Sequence, residues 1–300
     1  MPSAEEFLLP QRAYLLSFRD QAAFARRRAI ADSRASFNSS HSASPGRQTQ
    51  LELMGLLGDS MQAVEDIGNL AASIMSGLAG LASYVKATVY HPSHVNNFFA
   101  QIHKQEPHYF LRLCGFRFEG YDMFDFFELR SPPTPREREA FARAEEATAE
   151  LIRGHFVHLA RQWARYRRFF HAYKHGMLVA NPEEVDIVDE EEIVLPGLVI
   201  WARNRPEAAI GAQTTEPLEG IADDMEETGI LAVEMTEYLV KSRLAIFDLI
   251  SFQEDGTVSP RTNVSRAHPW NFWMRGGDVS HQDITLLEKR GMRFQTERNS

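Results

Sequence analysis

The feature that most constrains this chain is a long apolar seam between residues 152 and 177. Its side chains recur at strictly alternating intervals of four and three. Such spacing places every member on one face of an α-helix, because 3.6 residues complete each turn. A face this long and this aromatic predicts a helix packed against other helices. The seam consists of Ile152, Phe156, Leu159, Trp163, Tyr166, Phe170, Tyr173 and Met177.

Residues on either side of the seam mark where this helix begins and ends. Thr134 is placed to act as its N-cap, and Pro135 suits the first helical position. Glu137 and Glu139 complement the positive end of the helix dipole. Gly176 follows the last periodic turns and favours a helix end. We therefore expect one helix from about 135 to 177.

Two more stretches, 50–86 and 223–252, have apolar residues at helical spacing. In the first stretch these are Leu53, Leu57, Met61, Val64, Ile67, Ala71, Ile74, Leu78, Leu81 and Val85. In the second stretch they are Met225, Ala232, Met235, Leu239, Ile246 and Ile250. Both are expected to be partners of the 135–177 helix.

A short strand pair is expected between residues 193 and 203. Apolar and β-branched residues there flank Pro196-Gly197, which favours a turn between two strands. No internal repeat is present, which argues against a helical solenoid. The sequence thus predicts a mainly α fold: a helical bundle with a small β-hairpin insertion.

The first 48 residues differ from the rest of the chain in composition. A short helix is expected within 13–31, and a serine-rich stretch with proline and glycine, 33–49, is typical of a linker. The predicted organisation is therefore an N-terminal segment, 1–48, followed by a single helical domain, 49–300.

Composition limits the classes of function. The chain of 300 residues carries a formal net charge of −9, which argues against coating nucleic acid with the whole surface but permits a local basic groove. Cys114 is the only cysteine, so internal disulfides and Cys-rich zinc sites are excluded and a cytoplasmic setting is expected. The N-terminus lacks a signal-peptide pattern. The uncharged stretch 67–85 contains polar residues and glycines, which predicts a buried helix and no membrane span.

Several common kinds of site are missing from the sequence. It contains no phosphate loop, no dinucleotide-binding glycine motif and no nucleophile elbow. His171 and His175 have the spacing of a zinc pair, but Ala172 stands where a zinc protease carries its glutamate and Lys174 would repel a cation. Cys114 lies among apolar residues and is expected to be an unreactive buried thiol. We expect neither a metal nor another cofactor.

The second half of the 135–177 helix is rich in basic residues. No acidic residue occurs between Glu150 and Glu183, and Arg161, Arg168 and His175 are seven residues apart. This spacing forms a stripe directed away from the apolar seam. Arginine forks match phosphate oxygens and histidine can move protons near neutral pH, so the stripe is a candidate phosphate-binding surface. The alternative is a solvated face, or one neutralised by the acidic tract 183–192.

The segment from Arg168 to His175, RFFHAYKH, has the form R-x6-H near the end of a helix. It resembles the R-x4-6-H motif of the HEPN superfamily, which includes metal-independent endoribonucleases of toxin–antitoxin, phage-defence and CRISPR systems. The ending Tyr173-Lys174-His175-Gly176 is also similar to the K-H-G ending of bacterial HEPN-like proteins. The resemblance implies that Arg168 contacts the scissile phosphate, that His175 is an acid or base, and that the site forms in a homodimer.

The neighbouring basic side chains are candidates for RNA binding without a direct role in cleavage. They are Arg161, Arg165, Arg167, His171 and Lys174. Two other functions stay open. The first is a non-catalytic interaction protein whose basic face binds an acidic protein partner or its own acidic tract. The second is a small-molecule or metal-dependent enzyme that uses the histidine pair.

Overall fold

A computed structural model provides the fold. It describes residues 13, 15, 23–43, 47–76, 92–118, 121–122, 132–175, 178–180, 198–200, 218–252, 258–260 and 271–297.

These residues form seven α-helices and four short pairs of strands. The predicted mainly α fold, a helical bundle, is confirmed. The helices are α1 (Ala23–Ala43), α2 (Arg47–Met75), α3 (Pro92–Gln101), α4 (Pro107–Cys114), α5 (Pro135–Lys174), α6 (Leu218–Leu249) and α7 (His281–Glu288).

The chain divides into two compact units. The first unit comprises 1–21, 68–158 and 235–300, and the second comprises 22–67 and 159–234. Helices α2, α5 and α6 each contribute residues to both units. The predicted boundary at residue 48 does not coincide with a boundary between the units, and a single domain over 49–300 stays a prediction.

Helix α5 begins where the sequence predicts, at a reciprocal cap. The Thr134 hydroxyl accepts a hydrogen bond from the Glu137 backbone N–H at 3.3 Å, and the Glu137 carboxylate accepts one from the Thr134 N–H at 2.7 Å. Arg290 donates two further hydrogen bonds to that carboxylate, at 2.8 and 2.7 Å. These bonds hold the pKa of Glu137 at about 2. A distant arginine thus reinforces a local cap.

The apolar seam of α5 is buried from Ile152 to Phe170, as predicted. Tyr173 differs, because 40% of its surface is exposed, and Met177 lies outside the described residues. The predicted seam of α2 is buried from Leu53 to Ile74, and the residues beyond it at 78–85 are not described. The seam of α6 is buried from Met225 to Ile246.

Helix α1 corrects one prediction. The serine-rich stretch is helical as far as Ala43 and is not a linker there. Its apolar residues Ile30 and Phe37 are fully or almost fully buried. The Ser33 hydroxyl donates to Asp59 of α2 at 2.7 Å, and Arg34 pairs with Asp223 of α6 at 2.6 Å. Tertiary contacts within the second unit therefore override the weak helix propensity of serine.

The strands are short. The pairs are β1 (Arg117–Phe118) with β2 (Tyr121–Asp122), β3 (Leu178–Ala180) with β4 (Leu198–Ile200), and β5 (Ile250–Phe252) with β6 (Val258–Pro260), all antiparallel. Strands β7 (Asn271–Met274) and β8 (Arg293–Thr296) are parallel, with α7 between them in sequence.

One sequence prediction concerns these strands, and β7 was not predicted. Part of the expected 193–203 hairpin is present as β4, which pairs with β3, while the turn at Pro196-Gly197 lies outside the described residues. Strand β7 begins inside the aromatic segment 268–273, whose last three residues belong to it. Pairing with a strand about twenty residues later in the chain explains why local sequence does not reveal β7.

No helix among the described residues is both long and apolar enough to cross a lipid bilayer.

Candidate nucleic-acid interface

The predicted site residues divide into an exposed stripe and a flank along the second half of α5. At 100° per residue, the stripe covers about 80° of the helix circumference, and the apolar seam lies about 180° away. Arg167 and His171 on the flank are half-buried, and Lys174 lies beside the seam. Arg161, Arg168 and His175 of the predicted stripe are exposed, and exposed Arg165 extends the stripe to four members.

Within the part of the chain that the structure describes, the polar groups of three stripe side chains have no bonding partner. The side chains of Arg161, Arg168 and His175 make no hydrogen bond or ion pair with another described residue. The acidic tract 183–192, proposed above as their neutralising partner, lies outside the described residues. These three side chains are placed to bind an anion that approaches from solvent.

Arg165 is partly engaged by its own unit. Its guanidinium forms an ion pair with Asp224 of α6 at 3.0 Å and lies 4.9 Å from the centre of the Tyr166 ring. The Tyr166 hydroxyl also lies 3.4 Å from the same carboxylate. Burial raises the pKa of Tyr166, which keeps that hydroxyl protonated. Arg165 can add positive charge to the stripe, but half-exposed Asp224 offsets part of it.

Lys174 has a partner inside the second unit. Its ammonium group donates a hydrogen bond to the carboxylate of Glu65 of α2, which is 4% exposed. The same ammonium lies 4.5 Å from the centre of the Phe170 ring. The contact satisfies a buried charge, so Lys174 fastens the last turn of α5 to α2.

His171 lies against aromatic rings. Its ring centre is 5.8 Å from that of Trp163 in an edge-to-face arrangement and 5.9 Å from that of Phe170. Burial lowers the pKa of His171, the Glu65 carboxylate opposes this, and neighbouring cationic side chains add to it. The imidazole is therefore predominantly neutral at pH 7, in the form that accepts a proton.

Sequence reasoning missed Glu65 and Asp224, the acidic partners of the basic helix. Glu65 precedes Lys174 by 109 residues, so no local spacing relates the two. One signal was present in the sequence, because Glu65 and Asp66 lie between Val64 and Ile67 of the predicted apolar seam. Buried acids of that kind require cationic partners, and Asp66 indeed pairs with Arg26 at 3.0 Å.

The other candidate sites offer less chemistry. Cys114 is fully buried, and burial raises the pKa of its thiol far above the ordinary range, as expected of an unreactive cysteine. Among the described residues, no three His, Cys, Asp or Glu side chains lie close enough together to hold a metal ion.

A cavity of about 730 Å³ lies in the first unit, and none of the predicted site residues line it. Its arginines already have acidic partners: Arg117 pairs with Glu145, Arg143 with Asp283 and Arg275 with Glu297.

Comparisons of the chain with protein-family models, with curated proteins and with solved structures found no match. The HEPN resemblance therefore depends on the R-x6-H motif and on its place at the end of a helix in a helical bundle. The chemistry of the stripe has to be argued from its own residues.

Proposed function

We propose that this protein binds RNA through the exposed stripe of α5 and cleaves it without a metal ion, as the HEPN resemblance implies. The observation that carries the proposal is the stripe itself. Arg161, Arg168 and His175 are exposed at seven-residue intervals, without an ion pair to any described residue. In a chain with a net charge of −9, this places unneutralised cations on one helix face.

RNA suits such a surface because it brings its own nucleophile. The ribose 2′-hydroxyl can attack the adjacent phosphorus, so the protein needs to hold the phosphate, move protons and stabilise developing charge. The planar guanidinium of Arg168 can donate two hydrogen bonds to phosphate oxygens. His175, directly after the last residue of α5, is the acid or base.

The other predicted residues have graded roles in this proposal. Arg161 and Arg165 contact phosphates further along the strand, and Arg167 adds charge from the flank. Lys174 contributes mainly by holding the last turn in place, since its ammonium group already binds Glu65. A homodimer, as the resemblance implies, would bring two such stripes together on one RNA.

The proposal is tested with purified protein and a fluorescein-labelled single-stranded RNA. Binding is followed by fluorescence anisotropy, and cleavage by denaturing gel in the presence of EDTA. We expect cleavage products ending in a 2′,3′-cyclic phosphate and a 5′-hydroxyl. R168A and H175A should each slow cleavage by at least about a hundredfold, the usual range for loss of an acid–base or charge-stabilising group. RNA containing 2′-deoxynucleotides should bind and stay intact.

A matched control lies on the same helix. Arg153 is part-exposed but forms an ion pair with Glu150 at 2.8 Å, and it precedes Arg161, the first member of the stripe, by eight residues. R153A removes the same charge as R168A and should leave cleavage and binding unchanged. If the wild-type protein neither binds nor cleaves RNA, or if R168A and R153A behave alike, the proposal is wrong. Expression of wild type and H175A in bacteria tests the toxin role, because only the wild type should arrest growth.

A non-catalytic interaction protein is the second candidate function. The observation in its favour is that two basic residues of this helix, Arg165 and Lys174, already bind carboxylates. The stripe would then bind acidic side chains, either of a protein partner or of the tract 183–192. Replacing the acidic residues of the tract 183–192 with their amides distinguishes binding of the tract from binding of a protein partner. If the tract occupies the stripe, the variant should bind RNA more tightly than the wild type does.

A further inference from the structure

The motif assigns one histidine to the reaction, but the helix presents two beside Arg168. Residues 168, 171 and 175 lie within about 60° of the circumference of α5, on consecutive turns. Side chains three or four residues apart on a helix are neighbours, with about 5–6 Å between their Cβ atoms. A phosphate held by Arg168 is therefore within reach of two imidazoles.

The two imidazoles have different surroundings. His175 is exposed at the end of the helix, where its backbone N–H bonds to the His171 carbonyl at 3.1 Å. His171 is half-buried, and its ring contacts the rings of Trp163 and Phe170 of the same helix. The His171 side chain makes no hydrogen bond with another described residue. One histidine is thus oriented by packing and the other faces solvent.

We propose that the two histidines divide the proton transfers of RNA cleavage, with His171 as the general base and His175 as the general acid. This assignment rests on the proposed ribonuclease function and extends it to a second catalytic histidine. The presence of two imidazoles beside Arg168 carries the proposal, because cleavage requires proton removal on one side of the phosphorus and proton donation on the other.

The reaction balances with these two groups alone. A neutral nitrogen of His171 takes the proton of the 2′-hydroxyl as that oxygen bonds to phosphorus. The bond between phosphorus and the 5′ oxygen breaks, and the imidazolium of His175 gives its proton to the departing oxygen. Arg168 holds the non-bridging oxygens, where negative charge accumulates. The products are a 2′,3′-cyclic phosphate and a 5′-hydroxyl, and exchange with water restores both histidines.

The surroundings of His171 support its role as base. Burial against the aromatic rings lowers its pKa, and the cationic neighbours Lys174, His175 and Arg167 act in the same direction. From α2, the carboxylate of Glu65 raises it, but that carboxylate is paired with Lys174. The base is therefore deprotonated at neutral pH, and cleavage should rise with pH below the ordinary histidine value of about 6.5.

The test separates the two proton transfers with two RNA substrates. One is ordinary RNA, and the other carries a 5′-bridging sulfur at the cleavage site, whose departure needs no proton. The substitutions are H171F, which keeps an aromatic ring against Trp163, H171Q, which keeps a polar side chain, and H175A. Circular dichroism and RNA anisotropy verify that each variant folds and binds.

We expect H171F, H171Q and H175A each to cleave ordinary RNA at least about a hundredfold more slowly than the wild type. On the sulfur substrate, H175A should recover most of its rate, while the two His171 variants should stay slow. The His171 variants should also lose the rise of rate with pH below 6.5 that the wild type shows.

The outcomes distinguish the two proposals. One outcome is that H171F and H171Q cleave ordinary RNA like the wild type while R168A and H175A do not. In that case the catalytic role of His171 is wrong, and the proposed ribonuclease function is still supported. Recovery of the His171 variants on the sulfur substrate would overturn the assignment of base and acid. If the wild type cleaves no RNA, both proposals fail.

Discussion

The ammonium group of Lys174 donates a hydrogen bond to the buried carboxylate of Glu65, and this bond joins the last turn of α5 to α2. Gln62 donates to the same carboxylate oxygen at 3.0 Å. One turn earlier on α5, the ring of Phe170 lies beneath the ammonium group. The end of the helix that carries His175 is therefore held by a buried charge and by an aromatic ring.

Removal of Lys174 should destabilise the protein more than removal of the charge on Glu65. K174M leaves the buried carboxylate without its cation, which we expect to cost about 2 kcal/mol, less than a fully buried pair because Lys174 is part-exposed. E65Q leaves a lysine that can reach solvent and should cost about half as much. Urea denaturation monitored by circular dichroism measures both. Equal losses in the two variants would contradict this account.

The close contact of α6 with α2 at Gly229 leads to a second prediction, on the effect of a larger side chain there. A Cβ atom at this position would lie 2.7 Å from the Ser60 hydroxyl and 2.8 Å from Ile30 Cδ1. Although alanine is normally the better helix residue by about 1 kcal/mol, G229A should lower the free energy of unfolding by about 1–3 kcal/mol through overpacking.

The same helix offers a control for that substitution. A Cβ at Gly220 meets nothing within 4 Å. G220A should therefore be neutral or stabilising by up to about 1 kcal/mol. If G229A melts at or above the melting temperature of the wild type, then α1, α2 and α6 do not pack this closely around Gly229.

The cap of α5 predicts a loss of stability in acid. The pKa of Glu137 is lowered from 4.5 to about 2, chiefly by the hydrogen bonds from Arg290 and next by the Thr134 N–H. The pKa of Glu137 is lower in the folded protein than in the unfolded chain. The stabilisation is therefore complete above pH 4.5 and is lost as the pH falls towards 2. It amounts to roughly 3 kcal/mol. In E137Q, the unfolding free energy should change less between pH 5 and pH 3. T134A should cost about 1 kcal/mol at neutral pH.

The burial of His155 leads us to expect a second pH dependence of stability, at higher pH than that of Glu137. Its ring is buried against Trp273, 5.0 Å between centres, and its Nε2 lies 3.4 Å from Glu297. Burial lowers the pKa of His155, and Arg275 and His158 add to this against the attraction of Glu297. The stabilisation is therefore complete above the pKa of about 6.5 that histidine has in the unfolded chain. It is lost as the pH falls through the lower pKa of His155 in the folded protein.

The phenylalanine variant tests this assignment. H155F keeps the ring contact and should reduce the difference in unfolding free energy between pH 7.5 and pH 5.5. H281Q alters an exposed histidine at the start of α7 and should leave that difference unchanged. Equal pH dependence in wild type and H155F would exclude His155 as its source.

The fold was predictable where its cause is local. The four-and-three spacing of α5 and the Thr134 cap lie within the segment they specify, and both are present as expected. The serine-rich second half of α1 was not predictable, because contacts of Ser33 and Arg34 with residues far along the chain hold it in a helix. Parallel pairing of β7 with β8 is equally non-local.

The candidate site shows the same division. Periodicity alone placed Arg161, Arg168 and His175 on one stripe, and all three are exposed. Periodicity could not reveal that Lys174 binds Glu65 or that His171 lies against Trp163 with a lowered pKa. The contact of Lys174 with Glu65 depends on how α5 packs against α2, and it gives a residue predicted to bind RNA a structural contact. Trp163 and His171 both lie on α5, and the pKa of His171 is lowered because that part of the helix is buried.

Salt dependence offers the most direct test of which cations meet the RNA. Each phosphate contact with single-stranded nucleic acid contributes about 0.7 to the slope of log affinity against log salt concentration, because a counterion is released. R161A and R168A should each reduce that slope by about 0.7, measured by fluorescence anisotropy between 50 and 300 mM salt, roughly the range over which such contacts weaken. R165A should reduce it less, since Asp224 already pairs with that arginine. R153A, outside the stripe, should leave the slope unchanged, and an equal reduction in all four variants would indicate diffuse attraction with no defined interface.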